Sequence, residues 1–420
     1  MLPRFGPVLL LLSASMGFAL AQLGPLAPAP EWKELDAYQE AITRQEFLDL
    51  LDNLYAPGGA ARGLIDVQKE HATIRMGTSS QTGVYHLRFA ANRASAKPAR
   101  RYWRPAAAIG GRTTELPLRG MHIALDPGHI GGTYARMEER WFQWGDAQPV
   151  TEGDMTLIVA RLLKPKLEAL GARVSLVRES DRPVTRARPK HFRSAALAEL
   201  RALGITRPRP TYDPGDPPSA RRHTLQWQEE QLFYRTAEIR ARADLVNRKI
   251  RPDLVVCLHF NAESWGDPRR PDMIERNHLH VLVNGAYSRS EVLLDDNRFD
   301  LLLRLLQGAS HEEVPAAGAV ATAMARRTGL PAYVYSTSNA RRTGRNPYVY
   351  ARNLLANRLY QCPVLFLEPY VMNSPEVHER VQAGDYRGAR EVGGKLRLSL
   401  YEEYALSVAE GLASHYRASR

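Results

Sequence analysis

The chain has 420 residues, 44% hydrophobic and 24% charged, with 30 glycines and 28 prolines. That balance excludes a largely disordered or collagen-like chain and allows two or three domains around at least one large core. Lys plus Arg number 57 against 45 Asp plus Glu, a formal +12 that favours anionic surroundings such as nucleic acid, an acidic cell envelope or anionic lipid, and the two cysteines exclude a disulfide framework.

Residues 1–21 read as a secretory signal peptide. Arg4 supplies the positive start, Val8 to Leu12 the apolar middle, and Ala19-Leu20-Ala21 a small-x-small cleavage site before Gln22. No later stretch approaches the roughly 20 apolar residues of a transmembrane span, so the mature protein is expected to be exported, periplasmic or extracellular, without a membrane anchor. Export conflicts with nucleic acid as a partner. Cys257 and Cys362 fall inside apolar runs and are expected to be buried thiols.

Residues 22–93 read as a small α+β domain. Trp32, Leu35, Tyr38 and Ile42, then Phe47, Leu50, Leu51 and Leu54, form a helical apolar stripe in two pieces. Thr43-Arg44-Gln45-Glu46 has the form of a capping box between them. Strands follow at Thr73 to Arg75 and Val84 to Phe89. The Arg-, Pro-, Ala- and Gly-rich stretch 94–119 reads as a linker.

Residues 120–420 alternate short apolar runs with amphipathic helices, the pattern of an α/β fold with a mostly parallel sheet flanked by helices. The runs are His122 to Leu125, Arg173 to Val177, Leu254 to Phe260, His280 to Val283 and Pro363 to Leu367. Helices are expected at Met155 to Leu170, where Pro165 should impose a kink, at Tyr234 to Arg248, at Ala316 to Thr328 and at Leu398 to Tyr416. Residues 185–231, with Arg207-Pro208-Arg209-Pro210 and Asp213-Pro214-Gly215, read as a long insertion.

Polar residues stand where these runs end, the place at which open α/β sheets bind ligands. Asp126-Pro127-Gly128-His129 ends the first run, and the Pro-Gly turn presents His129 at the mouth of the sheet. His259-Phe260-Asn261 ends the third, Glu152 opens a helix, and Glu368 follows Val364-Leu365-Phe366-Leu367. Two imidazoles and a carboxylate suit Zn²⁺ with one position left open, and a second carboxylate suits a general base. His278 and His280, on one face of a strand, are a rival metal pair.

These residues resemble the zinc-dependent N-acetylmuramoyl-L-alanine amidases, which cut bacterial peptidoglycan. The matching pieces come in that family's order. They are Ile123 to His129 with Gly131-Gly132, Glu152 with Leu167 to Gly171, Val174 to Arg178 with Asp181, Arg242 with Asn247, Asp253 to Ala262, and Val364 to Glu368. The resemblance implies zinc held by His129, Glu152 and His259, with Glu368 as the catalytic carboxylate and Asn261 and Arg242 in supporting positions. It also implies peptidoglycan as substrate, acted on in wall remodelling or cell separation. Extra residues between His129 and Glu152, including Arg140-Trp141-Phe142-Gln143-Trp144, depart from the family pattern and leave Glu138 and Glu139 as alternative ligands. Tyr370 and Val371 stand where the family has Gly and an aromatic, and Cys257 where it has Ser. Residues 185–231, or the acidic and apolar segment Glu291 to Leu306, are expected to cover the site until an activator protein moves them. The contrasting readings are a non-catalytic wall-binding protein on the same scaffold and a zinc peptidase of other specificity.

Overall fold

A computed structural model describes residues 22–77, 83–213 and 215–419. The signal expected over 1–21 lies outside the described residues. The N-terminal part carries a three-stranded antiparallel sheet, β1 (Ile65–Val67), β2 (His71–Arg75) and β3 (Val84–Arg88). Thr43 caps the helix Arg44–Leu50 by accepting from the Glu46 N–H at 3.3 Å. The first expected helical piece is a 3₁₀ helix, Trp32–Tyr38.

The remainder is built on β4 (His122–Pro127), β5 (Trp141–Phe142), β6 (Val150–Thr151), β7 (Arg173–Leu176), β8 (Leu254–Leu258), β9 (Leu279–Val283), β10 (Arg341–Arg342), β11 (Val349–Ala351) and β12 (Val364–Pro369). Among the described residues, seven strands form one sheet in the order β10-β11-β9-β12-β8-β4-β7. β12, β8, β4 and β7 run parallel, and β9 lies antiparallel to β12, so the sheet is mostly parallel. β10 and β11 are too short to be visible as apolar runs.

Alternate residues of the central strands face opposite layers, as the twofold period of a strand requires. Ile123, Leu125, Leu254, Val256 and Leu258 pack with Met155, Val159 and Leu163 of α1 (Glu152–Ala169), Val320 of α3 (Ser310–Thr328) and Tyr404 of α4 (Leu400–Ala418). Ala124, Val255, Cys257 and Phe366 pack with Ala243, Val246, Ala356 and Tyr360 on the other face. Pro165 lies inside α1 without ending it. The expected helix Tyr234 to Arg248 is part of a longer helical stretch, 225–250, whose α turns alternate with π turns. Both cysteines are free and buried.

The stretch 94–119 is packed against the α/β body. Trp103 is buried, Arg104 pairs with Asp253 at 2.7 Å, and Arg112 donates to the Ser419 carbonyl at 2.9 Å. Residues Asp295–Gln307 form a helix, α2, with Leu301, Leu302, Leu303, Leu305 and Leu306 all buried. Its polar residues Asp295, Asp296, Asn297, Arg298, Arg304 and Gln307 are buried as well, so the helix is enclosed on both its apolar and its polar side. It packs beneath the N-terminal part, where Trp32 meets Phe299 edge-on at 5.6 Å and Arg298 donates to the Arg75 carbonyl at 3.0 Å.

Candidate active site

The C-terminal ends of β4, β8 and β12 meet at one edge of the sheet and bring His129, His259 and Glu368 to a shared cleft of about 1040 Å³. His129 follows β4 in the left-handed region, φ 56°. Gly128 before it admits no side chain, since a Cβ there would lie 2.2 Å from the His259 ring. That ring also stacks on Phe366 at 4.2 Å with 17° between planes. His259 is thus held against a glycine and an aromatic.

Glu152, the first residue of α1, lies between the two imidazoles. Its Oε2 is 3.1 Å from His129 Nε2, and its Oε1 is 3.1 Å from His259 Nδ1 and accepts the Phe260 N–H at 3.1 Å. Burial opposes its ionisation, but His129 and then His259 more than offset this and hold the carboxyl well below the usual range. Burial likewise lowers His259, whereas in His129 the burial effect is outweighed by Glu152 and Glu138.

The extra residues between His129 and Glu152 fold into the β5–β6 hairpin, in which Trp141 pairs with Thr151 and Phe142 with Val150. This closes the detour, brings Glu152 back to the His129 turn, and sets Arg140 Nε 3.1 Å from Glu152 Oε2. Glu138 instead accepts the backbone N–H groups of Ile130 and Gly131 and lies 3.7 Å from His129 Nδ1. A carboxylate there orients the ring and leaves Nε2 facing Glu152. Glu139 turns to Arg235 and Trp227.

Ligand atoms of His129, Glu152 and His259 lie within 4.8 Å of one another, the group among the described residues able to hold a metal ion. Two imidazoles and one carboxylate fit Zn²⁺ as a set of donors. His278 and His280 gather no such set. His280 Nε2 meets the Tyr335 hydroxyl at 3.0 Å, and His278 lies 3.5 Å from Glu263.

Arg242 sits beneath the site. It pairs with Asp126 at 2.9 Å and Glu238 at 2.8 Å, and donates to the carbonyls of Pro127 at 2.8 Å and His129 at 2.7 Å. Arg178 ties the same turn to α1, donating to the Gly128 carbonyl at 3.4 Å and to the Gly153 carbonyl at 2.7 Å. Asn261 joins β8 to the segment after Glu368, accepting the Met372 N–H at 2.8 Å and donating its own to Tyr370 at 2.9 Å. Its side chain accepts the Ala262 N–H, so it acts on the loop and touches none of the three clustered residues. Glu368 is half-buried and raised to about 8, by burial first and then by Glu152. Sequence reasoning missed Arg140 and Tyr404. The Tyr404 hydroxyl comes from the far end of the chain to donate to the His259 carbonyl at 3.2 Å.

Of the two segments expected to cover the site, Glu291 to Leu306 does not, because α2 lies under the N-terminal part and none of these residues lines the cleft. From 185–231, Tyr212, Trp227 and Glu230 form one wall of it. The segment has its own small core of Ala196, Leu200 and Leu225, shared with Leu232.

The apo structure of the amidase Ami1 from Mycobacterium abscessus is 15% identical, with a TM-score of 0.38 over 71% of this chain and 99% of that one. The amidase AmiC2 of Nostoc punctiforme is 14% identical, with a TM-score of 0.38 over 73% of this chain and 99% of that one. The CwlD amidase of Clostridioides difficile, in complex with the GerS lipoprotein, is 11% identical, with a TM-score of 0.40 over 71% and 99%. No curated protein matches the chain. The sequence profile named N-acetylmuramoyl-L-alanine amidase matches residues 123–391, more than half of the chain and all of the clustered residues described above, and the chain belongs to that family.

Proposed function

We propose that this protein is an exported, zinc-dependent hydrolase that cuts the amide between N-acetylmuramic acid and L-alanine in peptidoglycan, in wall remodelling or cell separation. The observation that carries the reading is that Glu368 opens into the same cleft as the His129, Glu152 and His259 cluster. Those three residues would hold the zinc ion. When bound, zinc supplies a Lewis acid that polarises an amide carbonyl and acidifies water. Glu368 then accepts a proton from the attacking water and returns it to the L-alanine nitrogen as the C–N bond breaks. Glu138 and Arg242 keep the His129 turn in place while this happens. Among the described residues no helix is long and apolar enough to cross a membrane.

The wall formed by Tyr212, Trp227 and Glu230 is where an activating partner would act, since displacing it widens the cleft. Tyr212→Ala and Trp227→Ala should then raise basal activity, and unchanged or lower activity would argue against gating.

The reaction is tested by mass spectrometry of the soluble products after residues 22–420 are incubated with purified peptidoglycan. Free stem peptides that begin with L-alanine, lost with chelator and restored by zinc, are expected. Cuts inside the stem peptide would make the protein a peptidase. No release by folded, zinc-loaded protein would leave a wall-binding protein.

A further inference from the structure

The cleft holds an arginine without an ion-pair partner among the described residues. Its other arginines are engaged or exposed: Arg140 pairs with Glu152, Arg235 lies 3.6 Å from Glu139, and Arg136 stacks on Trp141 at 4.1 Å. Arg352 is half-buried and lines the same cleft as Glu368, near enough for its charge to act on that carboxyl, and among the described residues no carboxylate lies within ion-pair distance of it. Its Nη1 reaches the Tyr335 hydroxyl at 3.5 Å, and Tyr335 in turn meets His280 at 3.0 Å. His280 stands directly opposite Glu368 in the antiparallel β9–β12 pair, so the two side chains leave the sheet on one face. Burial, then His278 and Arg352, keep His280 neutral, so it offers Glu368 no charge. Tyr335, anchored on His280, therefore gives the guanidinium its hydrogen-bond partner beside the site. A guanidinium that faces the cleft without a carboxylate of its own is free to match a ligand carboxylate through two parallel hydrogen bonds.

We infer that Arg352 is a specificity-determining residue that binds the free α-carboxylate of the stem-peptide residue following L-alanine. The inference rests on the peptidoglycan reading above. A carboxamide at that position keeps the shape but loses the charge, and should be bound more weakly by about tenfold.

The test is calorimetric titration of the zinc-loaded Glu368→Gln protein, which cannot consume its ligand, with N-acetylmuramoyl-L-alanyl-D-isoglutamate and with its D-isoglutamine counterpart. The acid should bind about tenfold more tightly than the amide. Adding Arg352→Gln should erase the preference, and Arg352→Lys, which keeps charge and stem but not the fork, should restore part of it and guard against a folding failure. Equal binding of the two ligands, or a preference that survives Arg352→Gln, overturns the inference. With Glu368 intact, Arg352→Gln should raise KM for the acid about tenfold, change kcat less than about threefold and leave the pH profile in place. A fall in kcat with a displaced pH profile would instead mean that Arg352 acts on Glu368, and would also overturn it. Preference lost with Arg352 in a protein that hydrolyses neither ligand would sustain the inference and remove the amidase reading. Hydrolysis without preference would do the reverse.

Discussion

Two fully buried arginines in this molecule make the same kind of cluster at opposite ends of the sheet. Arg304 pairs with Glu313, donates to the carbonyls of Tyr360 and Cys362, and so closes the approach to β12, where Glu313 also accepts the Val364 N–H. Arg242 pairs with Asp126 and Glu238 and donates to the carbonyls that leave β4. Their chemistry is nearly interchangeable, yet one cluster ties the core together and the other aims His129. Buried charge therefore marks a site only by where it lies, and here that place is beyond the C-terminal ends of parallel strands.

The largest effects separate the site from both clusters. His259→Ala should lose zinc and turnover together, whereas Glu368→Ala should keep zinc and lose about 10²–10⁴-fold in rate, checked by metal analysis and product release. A Glu368→Ala protein of near-normal rate would remove Glu368 from its role. Next come the arginines themselves. Arg242→Met and Arg304→Met each leave buried carboxylates unpaired and should each cost about 3–5 kcal/mol in denaturant unfolding. Only Arg242→Met should also weaken zinc affinity, by about 10–100-fold. Equal zinc loss in both variants would erase the distinction between the clusters. Glu138→Gln, which weakens the partner of His129 Nδ1 without disturbing either arginine, should cost at most about tenfold in affinity by competition with a chromogenic chelator.

The smallest effect is a pH slope. Glu368 has a raised value in the metal-free fold, from burial and then Glu152, so the folded protein binds its proton more tightly than the unfolded chain. The metal-free protein should therefore lose stability from this group as pH rises from the ordinary Glu range to about 8, and no further above that. Glu368→Gln should remove that slope in thermal melts, and zinc, which offsets the charge of Glu152, should flatten it. A slope that persists in Glu368→Gln would place its origin elsewhere, with Glu313, raised by burial, the first to examine.

His129, His259 and Glu368 were legible because each follows an apolar run that can only be a buried strand, and a polar residue just past such a run emerges at the sheet edge. Glu152 was harder to read, because its position depends on a hairpin of four paired residues, Trp141, Phe142, Val150 and Thr151, that leaves almost no trace as periodicity. Arg140, Glu138 and Tyr404 were not legible in these roles, since each depends on how separate segments pack. β9 misleads in another way. It runs against its neighbour β12, so the residues that approach the site are those entering the strand, and His280, which the sequence offers only as a metal candidate, is placed opposite Glu368 only once strand direction is known. The acidic and apolar composition of Glu291 to Leu306 suggests a cover for the site, and only packing against the N-terminal part accounts for its buried leucines.

The confinement of His259 by Gly128 and Phe366 has a thermodynamic consequence. A ring packed this closely against Gly128 and Phe366 has already lost its rotational entropy when the chain folds, so capturing a metal requires little further ordering of that side chain. The cost is charged to folding, and affinity for the ion need not repay it. Relaxing either contact, by Phe366→Ala for example, would return that entropy to the metal-free state and make each binding event order the ligand anew.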